Sequence, residues 1–316
     1  MLVIDGNTGE FERGFDSGGQ SKEHARLLMG LGVQQMIVAI NKLEKVQWSL
    51  QRFNIIKERF SDFLQSCGFD LKSVFFIPTS GLEGTNLIER STISSWYKEK
   101  CLLELIDSLQ CPKRDLEKPF RFVIHDVSKG NSSSPICMSG LVASGVACAN
   151  QTVLLVPLNR KVTIKGIESH SQSTKTCEAG DQVTLSVSGI EAEHLRSGDV
   201  LCSTDAPVSS SETFEAKIAT FDLSIPITLG FSIILHINGS DETAHVSRLL
   251  RTLDTETGAV VKENPRLIQK NSAAVVELKL DRKMPLETFE QNRNLGRFSM
   301  RTQGKSIASG LITKIN

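Results

Sequence analysis

The sequence lacks the cysteine and histidine patterns of metal-binding and disulfide-linked proteins. Its seven cysteines are scattered along 316 residues without a C-x-x-C pair, and its six histidines do not cluster with them at metal-ligand spacing. An odd number of cysteines does not suit a disulfide framework, so we expect reduced thiols in the cytosol. We expect no metal-binding residues either, since zinc needs several such ligands close together.

Long apolar runs and a net charge are also missing. The chain begins Met-Leu-Val-Ile-Asp, with no basic segment or long apolar stretch, and this predicts neither a signal peptide nor a membrane span. Lysine and arginine together number 36, as do aspartate and glutamate. A balanced charge argues against binding nucleic acid by bulk electrostatics alone, although a local basic patch is compatible with it. We therefore expect a cytoplasmic protein with no membrane or DNA partner.

The first third of the chain alternates apolar strands with helical patterns. The predicted elements, in chain order, are strand Leu2–Asp5, helix Ser21–Met29, strand Gln35–Asn41, a helix between Ser49 and Gly68, strand Val74–Pro78 and helix Leu102–Leu109. This alternation is typical of a parallel sheet with right-handed crossovers. Phe53, Phe60 and Phe63 recur at helical spacing and predict a buried face.

The pattern changes after Pro112, where helical periodicity gives way to short β-branched runs separated by turn residues. Small residues at Pro207–Ser211 indicate a linker that divides this part into residues 113–208 and 209–316. Each module has the size and strand spacing of a small closed antiparallel β-barrel. The predicted fold class is multidomain: an α/β domain in residues 1–112, followed by two all-β barrels.

Two polar segments follow neighbouring strands of the predicted parallel sheet. Asn41-Lys42-Leu43-Glu44 ends one strand and Thr79-Ser80-Gly81 ends the next. Ligands of open parallel sheets bind outside the carboxyl ends of the strands, so both segments point to one crevice. A lone Asn-Lys-x-acid tetrad is common in surface turns, but its place after a strand, paired with Ser-Gly after the following strand, makes it informative.

The residue types in these segments suit a guanine base. The Asn41 amide can bond the acceptor edge of a purine, and the stem of Lys42 can cover the face of the base. The Glu44 carboxylate can accept from two guanine N–H groups, which adenine does not offer. The backbone N–H groups of Ser80 and Gly81 can donate to the guanine oxygen.

At these residues the sequence resembles the translational GTPases related to elongation factor Tu. The family motif Asn-Lys-x-Asp reads Asn41-Lys42-Leu43-Glu44, and the extra methylene displaces the carboxylate enough to weaken a paired hydrogen bond. Two other segments are similar to family signatures: Gly19-Gln20-Ser21-Lys22-Glu23-His24 and Leu295-Gly296-Arg297-Phe298. Four stretches look closest to the HBS-one-like ribosome-rescue factors that partner Pelota: Gly14–Gly19, Pro78–Leu82, Trp96-Tyr97 with Cys101–Glu104, and Lys118–Arg121.

The family's phosphate loop, G-x-x-x-x-G-K-[ST], does not occur in the 316 residues. Gly304-Lys305-Ser306 matches the last three residues of this motif, but Ser299 occupies the position of its first glycine. The strands predicted around this segment belong to a barrel. Asp16-Ser17-Gly18-Gly19 fits the magnesium-side Asp-x-x-Gly pattern, yet it aligns downstream of the family's true motif. We therefore expect an N-terminally truncated GTPase domain with no catalytic residue and no magnesium. GTP would be contacted through its guanine side only, and weakly or not at all.

The resemblance implies a GTPase that delivers a Pelota-like termination-factor relative to a stalled ribosome. Two hypotheses follow for this chain: a piece of a complete GTPase, or a catalytically inactive module that holds Pelota or the ribosome through its barrels. Elongation factor one-alpha and the release-factor GTPase are near alternatives. Whether the chain is an enzyme therefore stays open at the level of sequence.

Overall fold

A computed structural model describes residues 1–16, 19–129, 136–223, 225–255 and 257–316. The chain divides into two compact units, Met1–Pro112 and Lys113–Asn316. Within the described residues, no helix is long and apolar enough to cross a membrane.

The first unit is built on a parallel sheet of three strands in the order β1-β2-β3. Its strands are β1 (Leu2–Asp5), β2 (Met36–Asn41) and β3 (Val74–Pro78), and its helices are α1 (Glu10–Phe15), α2 (Gln20–Gly30), α3 (Leu50–Ser66) and α4 (Leu102–Asp107). Two short 3₁₀ turns, Leu43–Val46 and Leu71–Ser73, lie between them. The predicted parallel sheet is confirmed. Strand β2 lies between the other two and is buried almost throughout, as expected for the centre of such a sheet.

Helix α3 covers the sheet through an aromatic face. Phe53 and Phe60 are buried in the core, and Phe63 packs against Phe15 and Phe60. The Ser49 hydroxyl accepts a hydrogen bond from the Arg52 N–H at 3.2 Å and so caps the start of α3. The sequence patterns did not reveal α1, a six-residue helix that buries Phe11 and Phe15.

The second unit contains two closed barrels of six antiparallel strands each, as the sequence predicted. The first ring runs β11-β5-β4-β12-β7-β8 and closes by pairing β8 with β11. Its strands, with three short accessory ones, are β4 (Arg121–Lys129), β5 (Ile136–Ser144), β6 (Val146–Cys148), β7 (Thr152–Val156), β8 (Arg160–Ser169), β9 (Gln172–Thr174), β10 (Thr176–Glu178), β11 (Gln182–Ser188) and β12 (Val200–Cys202). A 3₁₀ turn, Ala192–His194, precedes β12.

The second ring runs β15-β20-β21-β13-β19-β16 and closes by pairing β16 with β15. Its strands, with three short accessory ones, are β13 (Ser209–Thr220), β14 (Ile227–Thr228), β15 (Ser232–Ile237), β16 (Ser240–Leu253), β17 (Val260–Glu263), β18 (Leu267–Ile268), β19 (Ala273–Leu286), β20 (Arg297–Thr302) and β21 (Lys305–Ile315). Gly304-Lys305 lies in the β20–β21 hairpin, where Gly304 has a φ of 77°. The interpretation of this segment as part of a barrel is therefore confirmed.

The expected linker at Pro207–Ser211 is shorter than predicted. Strand β13 already begins at Ser209, and Ser209 pairs with Leu286 of β19. Small polar residues indicated a loop here, but a neighbouring strand supplies backbone partners that override local propensity. The sequence Lys129-Gly130-Asn131-Ser132-Ser133-Ser134-Pro135 favours a mobile loop, but this segment falls mostly outside the described residues, as does the centre of the Asp16–Gly19 segment.

Buried charges join the two barrels inside the second unit. The Nε atom of Arg121 on β4 donates to Oε1 of Glu287, just beyond β19, at 2.8 Å. Both side chains are nearly buried. Arg282 on β19 pairs with Glu242 and reaches Asp199 at 3.5 Å. Burial raises the pKa of the Asp199 carboxyl to about 6, because hydrogen bonding from Arg196 and the charge of Arg282 only partly offset the lost hydration.

Candidate functional site

The carboxyl ends of the three parallel strands converge on one edge of the sheet. Asp5 pairs in register with Asn41, and Ile40 with Pro78. The Gly6 N–H donates to the Asn41 carbonyl at 2.7 Å, which extends the ladder one step beyond the strand. A Cβ at Gly6 would lie 2.9 Å from the Leu43 side chain and 3.0 Å from the Asn41 carbonyl oxygen, so a larger residue would have to displace its neighbours.

The Asn41 side chain has a defined orientation at this edge. Its Oδ1 accepts a hydrogen bond from the Gly81 N–H at 2.8 Å. Because a backbone N–H can only donate, Oδ1 must face Gly81, and the amide N–H₂ group faces the other way. Asn41 is therefore oriented so that it can donate from the side of the amide away from the Gly81 N–H. A purine acceptor edge suits such a donor.

Lys42 is held by a residue that the sequence analysis did not single out. Its backbone is left-handed, with a φ of 65°, and its Nζ lies 2.7 Å from Oδ2 of Asp5 at the end of β1. The other oxygen of Asp5 accepts from the Asn7 N–H at 2.9 Å. Burial alone raises the pKa of Asp5, but the hydrogen bonds from Lys42 and Asn7 outweigh it and lower the pKa. The same bond raises the pKa of Lys42, so the ion pair persists at neutral pH.

Glu44 carries the most informative atom of the site. Its Oε2 is buried yet has no hydrogen-bond partner among the described residues. The turn that carries it is anchored by Leu43, which is fully buried, and is closed by the Trp48 N–H donating to the Leu43 carbonyl at 3.0 Å. A buried carboxylate oxygen without a donor is costly, so it points to a ligand that would supply one.

The Ser80-Gly81 segment is more engaged within the protein than the sequence implied. The Ser80 N–H donates to the Thr85 carbonyl at 3.3 Å, and Thr85 returns a bond of 3.1 Å. The Ser80 hydroxyl accepts from the Glu83 N–H at 3.2 Å. Ser80 therefore shapes the loop, while the Gly81 N–H orients Asn41. Neither N–H is an open donor in this structure, so a contact with a guanine oxygen stays a prediction.

The residues present fit a guanine base on the evidence of Glu44. Guanine offers two neighbouring N–H groups on one edge and two acceptors on the other. The unpartnered Glu44 oxygen suits the first edge, and the Asn41 N–H₂ group suits the second. Within the described residues, no group of three or more histidine, cysteine or acidic side chains could hold a metal ion.

The structure brings the predicted segments together and adds two residues that sequence reasoning missed. Asp5 holds Lys42, and Thr85 closes the loop after Ser80. Asp5 could have been found from the sequence, because it ends a strand of this parallel sheet. Ligands of such sheets bind at the carboxyl ends of the strands, so Asp5 is expected at the same edge as Asn41. Thr85 carried none, because its contact is a backbone bridge inside a loop.

Each part of the chain matches a known domain family. Residues 1–112 match the Elongation factor Tu GTP binding domain. Residues 137–202 match Elongation factor Tu domain 2. Residues 213–313 match the GTP-eEF1A C-terminal domain-like family.

Relatives of known name align along the whole chain. The chain is 37% identical over 319 residues to Protein HBS1 of Drosophila melanogaster, spanning 100% of this chain and 47% of that protein. It is 35% identical over 319 residues to Elongation factor 1-alpha of Staphylothermus marinus, spanning 100% of this chain and 72% of that protein. The crystal structure of Sup35 complexed with GDP aligns with a TM-score of 0.60 at 32% identity, covering 99% of this chain and 78% of that one.

Proposed function

Because the chain belongs to the elongation factor Tu and elongation factor 1-alpha family of translation factors, we propose that it serves ribosome rescue in the cytoplasm. In this role it would contribute the base side of a GTP site and two barrels that bind a Pelota-like partner or the ribosome. Support for rescue comes from the similarity to Protein HBS1, of which the chain spans about half. The nucleotide part rests on one observation, the buried oxygen of Glu44 that has no hydrogen-bond partner in the described part of the chain, and the oriented amide of Asn41 supports it.

The proposed nucleotide contact is guanine-specific and weak. Asn41, Lys42 and Glu44 address the base, whereas the sequence contains no phosphate-loop motif to hold the phosphates, which carry most of the charge. Ser80 and Gly81 support the site from the adjoining loop. We propose a dissociation constant near 1 mM or weaker, equivalent to about −4 kcal/mol.

Saturation-transfer NMR with GTP and ATP tests this part of the proposal. The 316-residue chain should transfer magnetisation to the guanine protons of GTP, but much less to the adenine protons of ATP. Asn41→Ala should abolish the GTP signal, and Asn54→Ala, an exposed amide on α3, should leave it unchanged. Micromolar GTP binding would contradict the weak contact. Equal signals from GTP and ATP would contradict guanine selectivity.

A second candidate is a module that binds its partner without hydrolysing GTP. The missing phosphate-loop motif favours it, since phosphoryl transfer depends on positioning the phosphates. Closed barrels also offer fixed surfaces on which a protein can dock. An elongation or release role instead of rescue is compatible with the same fold, given the similarity to Elongation factor 1-alpha and Sup35.

Capture of Pelota by the whole chain and by residues 113–316 tests the partner. Retention by both, with mild sensitivity between low and high salt, would support a barrel-based protein interface. Retention only by a complete GTPase that includes this chain would reject the independent module. Retention of ribosomes but not of Pelota would favour an elongation or release role.

A further inference from the structure

A groove lies on the second barrel, within the second unit. It has a volume of about 640 Å³ and is lined by Leu229, Arg248, Leu250, Asn264, Pro265 and Arg266. Three parts of the barrel form it: the turn before β15, the middle of β16, and the segment that follows β17. We call it the arginine groove.

The two arginines of the groove are exposed, and neither has an ion pair among the described residues. By contrast, Arg121 and Arg282 of the same unit each pair with a glutamate. The exposed Lys262 on β17 adds a third cation, whereas Glu263 beside it and Glu277, the cross-strand partner of Arg248, add two acids. The charges nearest the groove therefore sum to a positive patch that complements an acidic ligand.

Aliphatic side chains surround these cations. Leu229 lines the groove and is 67% exposed, Val261 on β17 is 68% exposed, and Leu267, which follows Arg266 in sequence, is 40% exposed. Isolated exposed aliphatic residues are ordinary, but a cluster around a groove marks a place where apolar groups of a partner can be buried. RNA would gain little from these aliphatic side chains, because its phosphates bind cations and its bases stack on aromatic rings.

The strand beside the groove has an open edge. Within the described residues β17 pairs only with β16, and all four of its residues are exposed. It leads directly into Asn264, whose N–H donates to the Leu250 carbonyl at 2.8 Å. An open edge offers backbone donors and acceptors to an extended chain.

We propose that the arginine groove binds an extended acidic segment of a partner protein. Its carboxylates pair with Arg248 and Arg266, its aliphatic side chains lie against Leu229 and Val261, and its backbone adds to the edge of β17. Side chains of a strand alternate between faces, so glutamate and leucine must occupy every second position to meet the groove together. This surface does not depend on nucleotide binding or on the partner proposed above.

Fluorescence anisotropy with a designed peptide tests the proposal on the whole chain. The probe is a labelled nine-residue peptide, Glu-Thr-Leu-Thr-Glu-Thr-Leu-Thr-Glu, and lysine replaces glutamate in the control peptide. The acidic peptide should bind and the basic one should not. The double variant Arg248→Gln/Arg266→Gln should weaken binding by about tenfold or more, as expected when charge-assisted hydrogen bonds are lost.

The matched control is Lys217→Gln/Lys305→Gln, which removes two exposed cations elsewhere on the same barrel. It should leave the affinity within about twofold, since distant surface charges are screened. A version of the acidic peptide with N-methylated backbone should bind more weakly, because it cannot donate backbone hydrogen bonds to the edge of β17, and equal binding would overturn the strand pairing. Equal losses in both double variants, absence of peptide binding, or tighter binding of a ten-nucleotide uridine RNA that needs the same arginines would overturn the proposal.

Discussion

Single atoms determine what the candidate site can recognise. The orientation of the Asn41 amide depends on one bond from the Gly81 N–H, and the affinity of Glu44 for a donor depends on one buried oxygen. Both properties depend on which hydrogen-bond partners the side chain has in the folded protein, and the residue type alone does not reveal those partners. A substitution that keeps the shape of a side chain but changes its hydrogen-bond donors therefore tests recognition of the base without disturbing the packing of the protein.

Glu44→Gln should remove the preference for GTP over ATP. The glutamine amide brings N–H groups toward the N–H groups of guanine, so one attractive contact becomes a repulsive one. Saturation-transfer NMR measures the ratio of the two signals, and Glu58→Gln on the exposed face of α3 is the control. Retained selectivity in Glu44→Gln would show that this carboxylate does not read the base.

The buried Asp199 carboxyl should make the stability of the second unit depend on pH. Its folded-state pKa of about 6 lies above its ordinary value of 3.8, so folding disfavours the carboxylate. The contribution of this group to stability is therefore lowest above pH 6, rises as pH falls through 6, and levels off near pH 4. Relative to Asp199→Asn, the wild-type chain should gain on the order of 2 kcal/mol between pH 7 and pH 4.5. Urea unfolding at both pH values measures this, and an opposite sign would refute it.

At the scale of elements, short local signals begin and end the helices of the first unit. Ser49 caps α3 through the Arg52 N–H, and Gly68 follows the helix with a φ of 96° that favours glycine. Each signal lies within a few residues of the helix end that it forms, which explains why the sequence predicted both ends. The six-residue α1 instead depends on packing, with Phe11 stacked on Phe15 at 5.1 Å.

Ser49→Ala should lower the free energy of unfolding of the first unit by about 1 kcal/mol, the usual cost of losing a cap. Ser66→Ala at the exposed end of the same helix is the control and should cost less than about 0.5 kcal/mol. Urea unfolding followed by circular dichroism measures both. Equal losses would mean that the Ser49 hydroxyl does not stabilise the helix start.

At the scale of the whole molecule, buried charges hold the two barrels together. Arg121 and Glu287 are 166 residues apart in sequence and form a nearly buried pair. Removing one partner leaves the other charged, buried and unpaired, whereas replacing both with apolar residues removes the desolvation cost as well. The pair therefore predicts strong coupling between the barrels.

Arg121→Met alone should destabilise the second unit by about 3–5 kcal/mol, and the double variant Arg121→Met/Glu287→Leu should cost less than the single one. Thermal unfolding of the two single variants and the double variant completes a mutant cycle. Lys314→Ala breaks an exposed pair with Glu215 and should stay within about 1 kcal/mol of wild type. Additive losses in the cycle would rule out the coupling.

The sequence by itself determined the class of fold and the place of the site. Apolar strands such as Val74–Pro78 and the helical spacing of Phe53 and Phe60 are local patterns, and they specified the parallel sheet within one or two residues. The rule for strand ends then brought Asn41 and Gly81 to one edge. Repeated short strands with turn residues between them indicated both barrels, although not their closing pairs.

Only the tertiary structure decided how those residues are held. Asp5 holds Lys42 across 37 residues of sequence, and strand β19 pairs with Ser209 inside the expected linker. Each outcome follows from a long-range backbone or ion-pair partner. Local propensity carries no information about such partners, because they meet only when the strands are placed side by side.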